Sequence, residues 1–311
     1  MVFLSGEEIN QMKLIRILLA LAVGASLAGT AAAQEGTLKK IKDSGAITIG
    51  HRDGSVPLSY YDDKQQPIGY AMDLCLKIVD AVKADLKMPS LKVNYQLVTS
   101  ANRIPLMANG TIDLECGSTT NNLARQKEVS FTITHFVTAN RWAAKKSSKV
   151  KTLQDLKGKT IVSTAGTTNI KQITEINAAQ NLNMNIISAN GHPEAFQMVE
   201  TGRAVAFVMD DIILAGLVAQ SRAPKEYEIS SVGLSVEPYG IMMRKDDPAF
   251  KKVVDAAMVN IYKSGQINAI WKKWFEKPIP PKGINMHLPM TPAMKKVVAK
   301  PTDSGDPKDY E

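Results

Sequence analysis

From Ala46 onward the apolar positions follow two alternating rhythms. "AITIG" (46 to 50) reads as a short buried strand, and "AMDLCLKIVDAVKADLK" then sets Leu74, Ile78, Val82 and Leu86 four residues apart on one helical face. "LKVNYQLV" switches to strand periodicity, with Leu91, Val93, Tyr95 and Leu97 alternating against polar neighbours. "SANRIPLMANG" opens on a capping residue, Ser100, and stops at Gly110, which places Arg103 in the first turn of a short helix. "TIDLECGS" is the next strand, so the order is β-α-β-α-β, the grammar of a parallel sheet with helical crossovers. The grammar restarts at "LKGKTIVSTAGTT", a strand ending in Gly166, Thr167 and Thr168, and runs on through the helix "NIKQITEINAAQNL" and the strand "NIISAN". A helix opening near His192 and the strand "AVAFVMDD" complete this second unit. "EPYGIMMRKDDPAF" returns to strand, and "KKVVDAAMVNIYKSGQINAIWKKWF" predicts two helices broken near Gly265. At 311 residues the chain exceeds what one hydrophobic core serves, so two α/β lobes are expected.

Composition changes this picture at the N-terminus. In "MKLIRILLALAVGASLAGTAAAQEG", Lys13 and Arg16 precede an apolar stretch that ends in Ala31, Ala32 and Ala33, the form of a secretory leader cleaved after Ala33; the rival is a permanent membrane anchor, against which the second half is Ala/Gly/Ser-rich and short for a span. Met12 is a second candidate start, because Glu7 and Glu8 are unusual in a basic leader. Losing residues 1 to 33 removes two basic and two acidic side chains, so the net charge of +8 is kept. An exported basic protein can meet nucleic acid, an anionic membrane surface or a small anion steered by its field. The lysines are scattered and aromatics are 6%, which argues against nucleic acid. Cys75 and Cys116 are the only possible disulfide pair in a chain bound for an oxidising compartment; the alternative is two buried thiols.

The stretch "DLECGSTTNNLARQKEVSFT" carries the most suggestive chemistry. It delivers Ser118, Thr119 and Thr120 at the C-terminal end of a strand, with Arg125 shortly after, where an open α/β sheet binds ligands. Arg125 is able to grip a carboxylate bidentately or to serve as a surface ion-pair partner. Arg52 directly follows a strand, and two cationic groups such as Arg52 and Arg103 aimed at one cleft make sense with an anion between them. Thr167 and Thr168 precede a helix N-terminus, where they either cap the helix or leave amides and hydroxyls for a carboxylate. Asp210 ends a buried strand and suits an ammonium, whereas Asp211 opens the next helix and reads as its cap. His192, before Pro193, is a helix-start residue or a ligand donor.

Taken together, the leader, "HRDGSVPLSYYDD", "SANRIPLMANGTIDLECGSTTNNLARQKEVSFT", "LKGKTIVSTAGTTN" and "EPYGIMMRKDDP…WKKWF" resemble the periplasmic amino-acid-binding proteins of ABC importers, in the glutamate/aspartate-binding branch. The likeness runs from Gly36 to Pro280. It implies a type II periplasmic binding protein fold, two α/β lobes joined by a two-strand hinge with the ligand cleft between them. On this chain that means residues 34–139 plus 236–299 in lobe 1 and 140–235 in lobe 2, with 300–311 as a flexible polar tail. The hinge is expected near 138 to 142 and 230 to 238. The resemblance sets Arg125, Thr120 and Thr168 on the ligand's α-carboxylate, Ser118 and Asp210 on its ammonium, and Arg52, Ser100, Arg103 and His192 around a side-chain carboxylate. It implies a periplasmic monomer that hands L-glutamate or L-aspartate to a membrane permease, with no cofactor, metal or nucleic acid. One departure concerns the aromatic that many such proteins stack on the ligand after the first strand, since Val56, Leu58 and Tyr60 leave that role open.

An enzyme of the dehydratase type on the same fold is the rival from another class. The sequence offers little for it. "LKGKT" lacks the glycine a phosphate-binding loop needs five positions before Gly158, where Leu153 stands, and neither G-x-S-x-G nor H-E-x-x-H occurs. The four histidines, His51, His135, His192 and His287, have no metal-ligand spacing, and Glu115 reads as a satisfied strand-end residue. A sensing protein that reports to a receptor is the third reading; fused sensors carry a membrane segment and a signalling domain after the binding unit, and neither pattern is present.

Overall fold

The computed structural model describes residues 36–311. The expected leader at 1–33 lies outside the described residues. No helix among those described is long and apolar enough to cross a membrane.

After a short helix α1 (Thr37–Ser44), the first lobe is built on β1 (Ala46–His51), a small three-stranded sheet of β2 (Gly54–Ser55), β3 (Ser59–Tyr61) and β4 (Pro67–Ile68), and helix α2 (Tyr70–Leu86). β5 (Lys92–Leu97), α3 (Arg103–Ala108), β6 (Leu114–Glu115) and β7 (Val129–Phe131) follow. The chain then enters the second lobe along the ten-residue strand β8 (Phe136–Lys145). There it forms β9 (Thr160–Thr164), α4 (Thr168–Ala179), β10 (Asn185–Ala189), α5 (His192–Glu200), β11 (Ala206–Asp210), α6 (Asp211–Gln220) and β12 (Tyr227–Ile229). β13 (Ser235–Tyr239) brings it back, β14 (Met242–Arg244) rejoins the first sheet, and α7 (Pro248–Lys263), α8 (Gln266–Phe275) and α9 (Pro292–Ala299) close the chain.

The first sheet runs β5-β1-β6-β14-β7, and the second β10-β9-β11-β8-β12 with β13 also on β8. Each has the parallel centre that the β-α-β pattern predicts, β5-β1-β6 in one and β10-β9-β11 in the other, with antiparallel strands added beside it. This is the two-lobe α/β architecture expected from the sequence. The lobes are tied by two antiparallel strands. Phe136–Ala139 and Val236–Tyr239 pair with each other, and from Asn140 onward β8 also takes β11 as partner.

Local chemistry explains the elements. In α2 the i, i+4 spacing buries Leu74, Ile78 and Val82, with Leu86 half-buried at its end. An aromatic cluster fixes the C-terminal helices to the first lobe: Phe136 stacks on Trp271 at 5.4 Å and on Phe275 at 5.2 Å, and Tyr70 meets Phe275 edge-on at 4.9 Å. Cys75 of α2 and Cys116, just beyond β6, form a disulfide across 41 residues, behind the loop that carries Ser118 and Thr120.

Four local expectations are corrected. β5 is an edge strand whose alternating apolar face is covered only near its start: Leu91 is buried and Val93 packs on the core, while Tyr95 and Leu97 are 44% and 42% exposed. Ser100 does not cap α3; Asn102 stands at the N-cap, and its Oδ1 accepts from Thr99 N. Asp211 does not cap α6 with its side chain, which accepts instead from Thr138 Oγ1 and pairs with Arg141 Nε at 3.0 Å. The tail is packed rather than free: Tyr310 is buried, and Thr134 N donates to Thr302 O at 2.8 Å.

Linking residues 41 apart removes denatured-state freedom worth roughly 4 kcal/mol on the chain-entropy model. The double replacement Cys75→Ser/Cys116→Ser is expected to lower the unfolding free energy by about 3–4 kcal/mol in urea titrations, relative to the oxidised protein.

Candidate functional site

The C-terminal ends of β1, β6, β9 and β11 converge between the lobes, the place where open α/β sheets present ligand-binding groups. β1 delivers Arg52, which is 1% exposed. Its Nη2 donates to Ser100 Oγ at 2.8 Å, while its Nε and Nη1 are buried without a hydrogen-bond partner. Arg103, at the start of α3, is buried, and its Nε also lacks a partner. Burial, and next the charge of Arg103, push the Arg52 guanidinium down to about 10. Burial likewise pulls Arg103 down, against the pull of Glu115.

β6 ends in Glu115, and the turn after it supplies Ser118 and Thr120. Gly117 keeps that turn close to the charged groups: a Cβ would lie 2.3 Å from Glu115 Oε1 and 2.9 Å from Arg52 Cγ, so both side chains would have to shift. Glu115 Oε2 accepts from Thr119 Oγ1 at 2.5 Å, but Oε1 has no partner, so the strand-end reading of Glu115 is corrected to a half-satisfied carboxylate beside the arginines. Ser118 Oγ donates to Ser55 Oγ at 3.2 Å. Arg125 opens a 3₁₀ turn and reaches back: Nη1 donates to Thr120 O at 2.8 Å and Nη2 crosses to the second lobe, to Gly166 O at 3.2 Å. Burial first, then Arg103's charge, push Arg125 down to about 9.

The second lobe completes the ring. Thr167 Oγ1 caps α4 by accepting from Ile170 N, which frees Thr168 from that duty. Thr168 Oγ1 donates to Glu237 Oε2 at 3.0 Å and stands 3.5 Å from Thr120 Oγ1. His192 starts α5 behind Gly191, and its Nδ1 lies 2.8 Å from Thr164 Oγ1. Burial, followed by Arg52 and Arg103, holds its pKa well below the ordinary histidine range, so the ring is neutral. Asp210 is the last residue of β11; its Oδ1 accepts from Asn169 Nδ2 at 2.7 Å and its Oδ2 from Tyr239 OH at 2.5 Å. Burial and then Glu237 raise its pKa to about 7, against those two hydrogen bonds.

The structure therefore brings Arg52, Ser100, Arg103, Ser118, Thr120, Arg125, Thr168, His192 and Asp210 around one cleft. Pattern reading missed Glu237, Tyr239, Asn169 and Ser55. Tyr239 and Glu237 lie in "VEPYG", legible as strand but without a chemical signature, and Asn169 is an ordinary helix residue until Asp210 faces it. None of the three residues left open for stacking on a ligand is placed to do so. Val56 and Leu58 are core residues, and Tyr60 turns its hydroxyl to Pro280 O at 2.7 Å with its ring edge-on to Trp274. Among the described residues no cluster of side chains fits a metal ion.

Three buried arginines, the buried carboxylates of Glu115, Asp210 and Glu237, and hydroxyls from both lobes form a charged cleft that suits a small zwitterion. The family model for bacterial extracellular solute-binding proteins, family 3, matches residues 47–277, and the chain belongs to that family. It is 52% identical over 284 residues to an L-glutamate/L-aspartate-binding protein of Pseudomonas aeruginosa, covering 90% of this chain and 94% of that one. It is 46% identical over 289 residues to a glutamate/aspartate import solute-binding protein of Escherichia coli, covering 92% and 96%. Among solved structures, an ancestral arginine-binding protein bound to arginine superposes with a TM-score of 0.67 at 25% identity, over 74% of this chain and 98% of that one. These relatives are binding proteins, two of them of import systems or acidic amino acids by name, and the chain is a solute-binding protein rather than an enzyme.

The lobes touch through residues with no room to spare. A Cβ on Gly54 of the first lobe would lie 2.3 Å from Pro193 Cγ of the second, and Gly54 has no positive φ that would add backbone strain. Gly54→Ala is thus expected to keep the fold, by circular dichroism, but to hold the lobes apart and weaken ligand-induced thermal stabilisation at least tenfold in ligand concentration.

Proposed function

We propose that this protein captures L-glutamate or L-aspartate in the periplasm and delivers it as a monomer to the permease of an ABC importer. The observation that carries the acidic ligand is the set of three buried guanidinium nitrogens, Arg52 Nε, Arg52 Nη1 and Arg103 Nε, that have no acceptor in the protein. A carboxylate is an acceptor-only group with lone pairs for all of them, whereas a carboxamide brings one acceptor, two hydrogens of its own and no charge. In this reading the side-chain carboxylate lies among Arg52, Ser100, Arg103 and His192. The α-carboxylate takes Arg125, Thr120 and Thr168, and the ammonium takes Asp210 with Ser118. The names of the Pseudomonas and Escherichia relatives support the same ligand class.

Capture proceeds by hinge closure about the paired segments of β8 and β13. Ligand groups that touch both lobes favour the closed form, because Arg125 and Thr120 stand on one lobe and Thr168 and Asp210 on the other. Neutral His192 suits the role given to it, since a third full cation beside Arg52 and Arg103 would add repulsion before the anion arrives.

Arg103→Ala is expected to weaken glutamate by two to three orders of magnitude and glutamine far less, read by isothermal calorimetry. Equal losses for both would remove Arg103 from the side-chain end. Asp210 supplies a pH test. Its carboxyl, raised to about 7, must give up its proton to receive an ammonium, so affinity should fall as pH drops from 8 to 6. Asp210→Asn should lose about ten- to hundredfold in affinity and flatten that dependence over this interval, with the fold intact.

A further inference from the structure

The last eleven residues lie beyond the family match, which ends at residue 277, yet they pack directly against the loop that carries Thr120 and Arg125. Asn121 Nδ2 donates to Asp303 O at 2.9 Å and to Ser304 O at 3.3 Å, and Gln126 Nε2 donates to Asp303 O at 2.9 Å. Gly305 seats the backbone against the same loop: a Cβ there would stand 2.8 Å from Asn122 C and from Leu123 N. Its φ is not positive, so glycine is demanded by this close approach and not by strain. Further along, Tyr310 is buried; its hydroxyl donates to Ser304 O at 2.7 Å and meets Thr134 Oγ1 at 2.7 Å. Thr134 lies in the four-residue passage between β7 and β8, where the chain leaves the first lobe.

The opposite side of the loop is held by β13. Asn121 N donates to Pro238 O, Gly240 N donates to Thr119 O, and Thr120 bridges Tyr239, the residue that also hydrogen-bonds Asp210. The loop bearing Thr120 and Arg125 is thus clamped between the interlobe strand on one side and the C-terminal segment on the other. Neither Thr120 nor Arg125 receives a hydrogen bond from the tail itself, so its effect on them passes through Asn121, Gln126 and the backbone at Asn122 and Leu123.

We infer that residues 301–310 are a strap that positions the α-carboxylate end of the binding site, with Asn121 and Tyr310 as its positioning residues. The ligand-binding loop, which carries no helix or strand between β6 and its 3₁₀ turn, would otherwise sample other conformers, and ordering it on binding costs affinity. The inference rests on the proposed acidic amino-acid ligand for its readout, but it concerns a segment and two residues that the ligand does not touch.

The test is a set of glutamate titrations by calorimetry on the full chain. Tyr310→Phe and Asn121→Ala should each weaken glutamate about three- to tenfold while far-ultraviolet circular dichroism stays unchanged, and a chain ending at Lys300 should lose more. A structural role alone would lower the melting temperature without an effect confined to one end of the ligand, so double-mutant cycles supply the discriminating readout. Tyr310→Phe combined with Thr120→Ala should be non-additive, and combined with Arg103→Ala additive. Unchanged affinity in both point variants overturns the strap even if the shortened chain fails to fold, and so does additivity in both cycles. Failure of the unaltered protein to bind glutamate or aspartate would instead sink the proposed ligand.

Discussion

Three like charges buried around one cleft are the constraint on which the rest of this molecule depends. Arg52, Arg103 and Arg125 are each buried, and burial is the largest influence depressing each guanidinium, with Arg103 adding repulsion to the other two. Isolated, such an arrangement would cost several kcal/mol per group. The protein offsets part of it with Glu115, Glu237 and Asp210, all buried, and leaves specific guanidinium nitrogens without acceptors. Placement makes this tolerable: Arg52 follows β1 directly, Arg103 opens α3 and Arg125 opens a 3₁₀ turn, each with its side chain buried in the cleft.

The acidic groups divide the labour. Glu237 is held by Thr168, Gln172 and Ser235, all donors on or beside the second lobe. Asp210 is fixed by Asn169 and Tyr239, so its carboxylate cannot turn away toward the arginines. Burial, and next the charge of Glu237, raise this aspartate into the neutral range against its two hydrogen bonds. The same residues join the lobes: Tyr239 belongs to the returning strand β13 and Asp210 to β11, so their hydrogen bond ties that strand to the second lobe.

Much of the fold was legible because it rests on local periodicity. The four-residue spacing of Leu74, Ile78 and Val82 and the apolar run of "AVAFVMD" depend only on which face of an element meets the core. The exceptions share a cause. Tyr95 and Leu97 alternate as a half-buried strand should, but position in a sheet is not local, and β5 fell at an edge. "KPTDSGDPKDYE" reads as polar tail, and one buried tyrosine with a few backbone carbonyls was enough to dock it, which composition does not register.

The candidate site divides in the same way. Sequence alone determined the residue types that end the strands and open the helices, Arg52, the "GSTTNN" turn, Arg125, Thr168 and Asp210, since a parallel sheet must place those positions at one edge. The resemblance added Ser100 and set it with Arg52, Arg103 and His192 around a side-chain carboxylate. Only the tertiary structure decided that Thr167 caps α4 so that Thr168 is available, that Ser100 serves Arg52 instead of a helix end, and that Glu115, Glu237 and Tyr239 belong to the same electrostatic group. The physical reason is range: a cap or an amphipathic face is settled within one or two turns of chain, whereas bonds such as Arg52 to Ser100, Asn169 to Asp210 and Thr168 to Glu237 join residues 48, 41 and 69 apart, whose meeting depends on how the two sheets are joined.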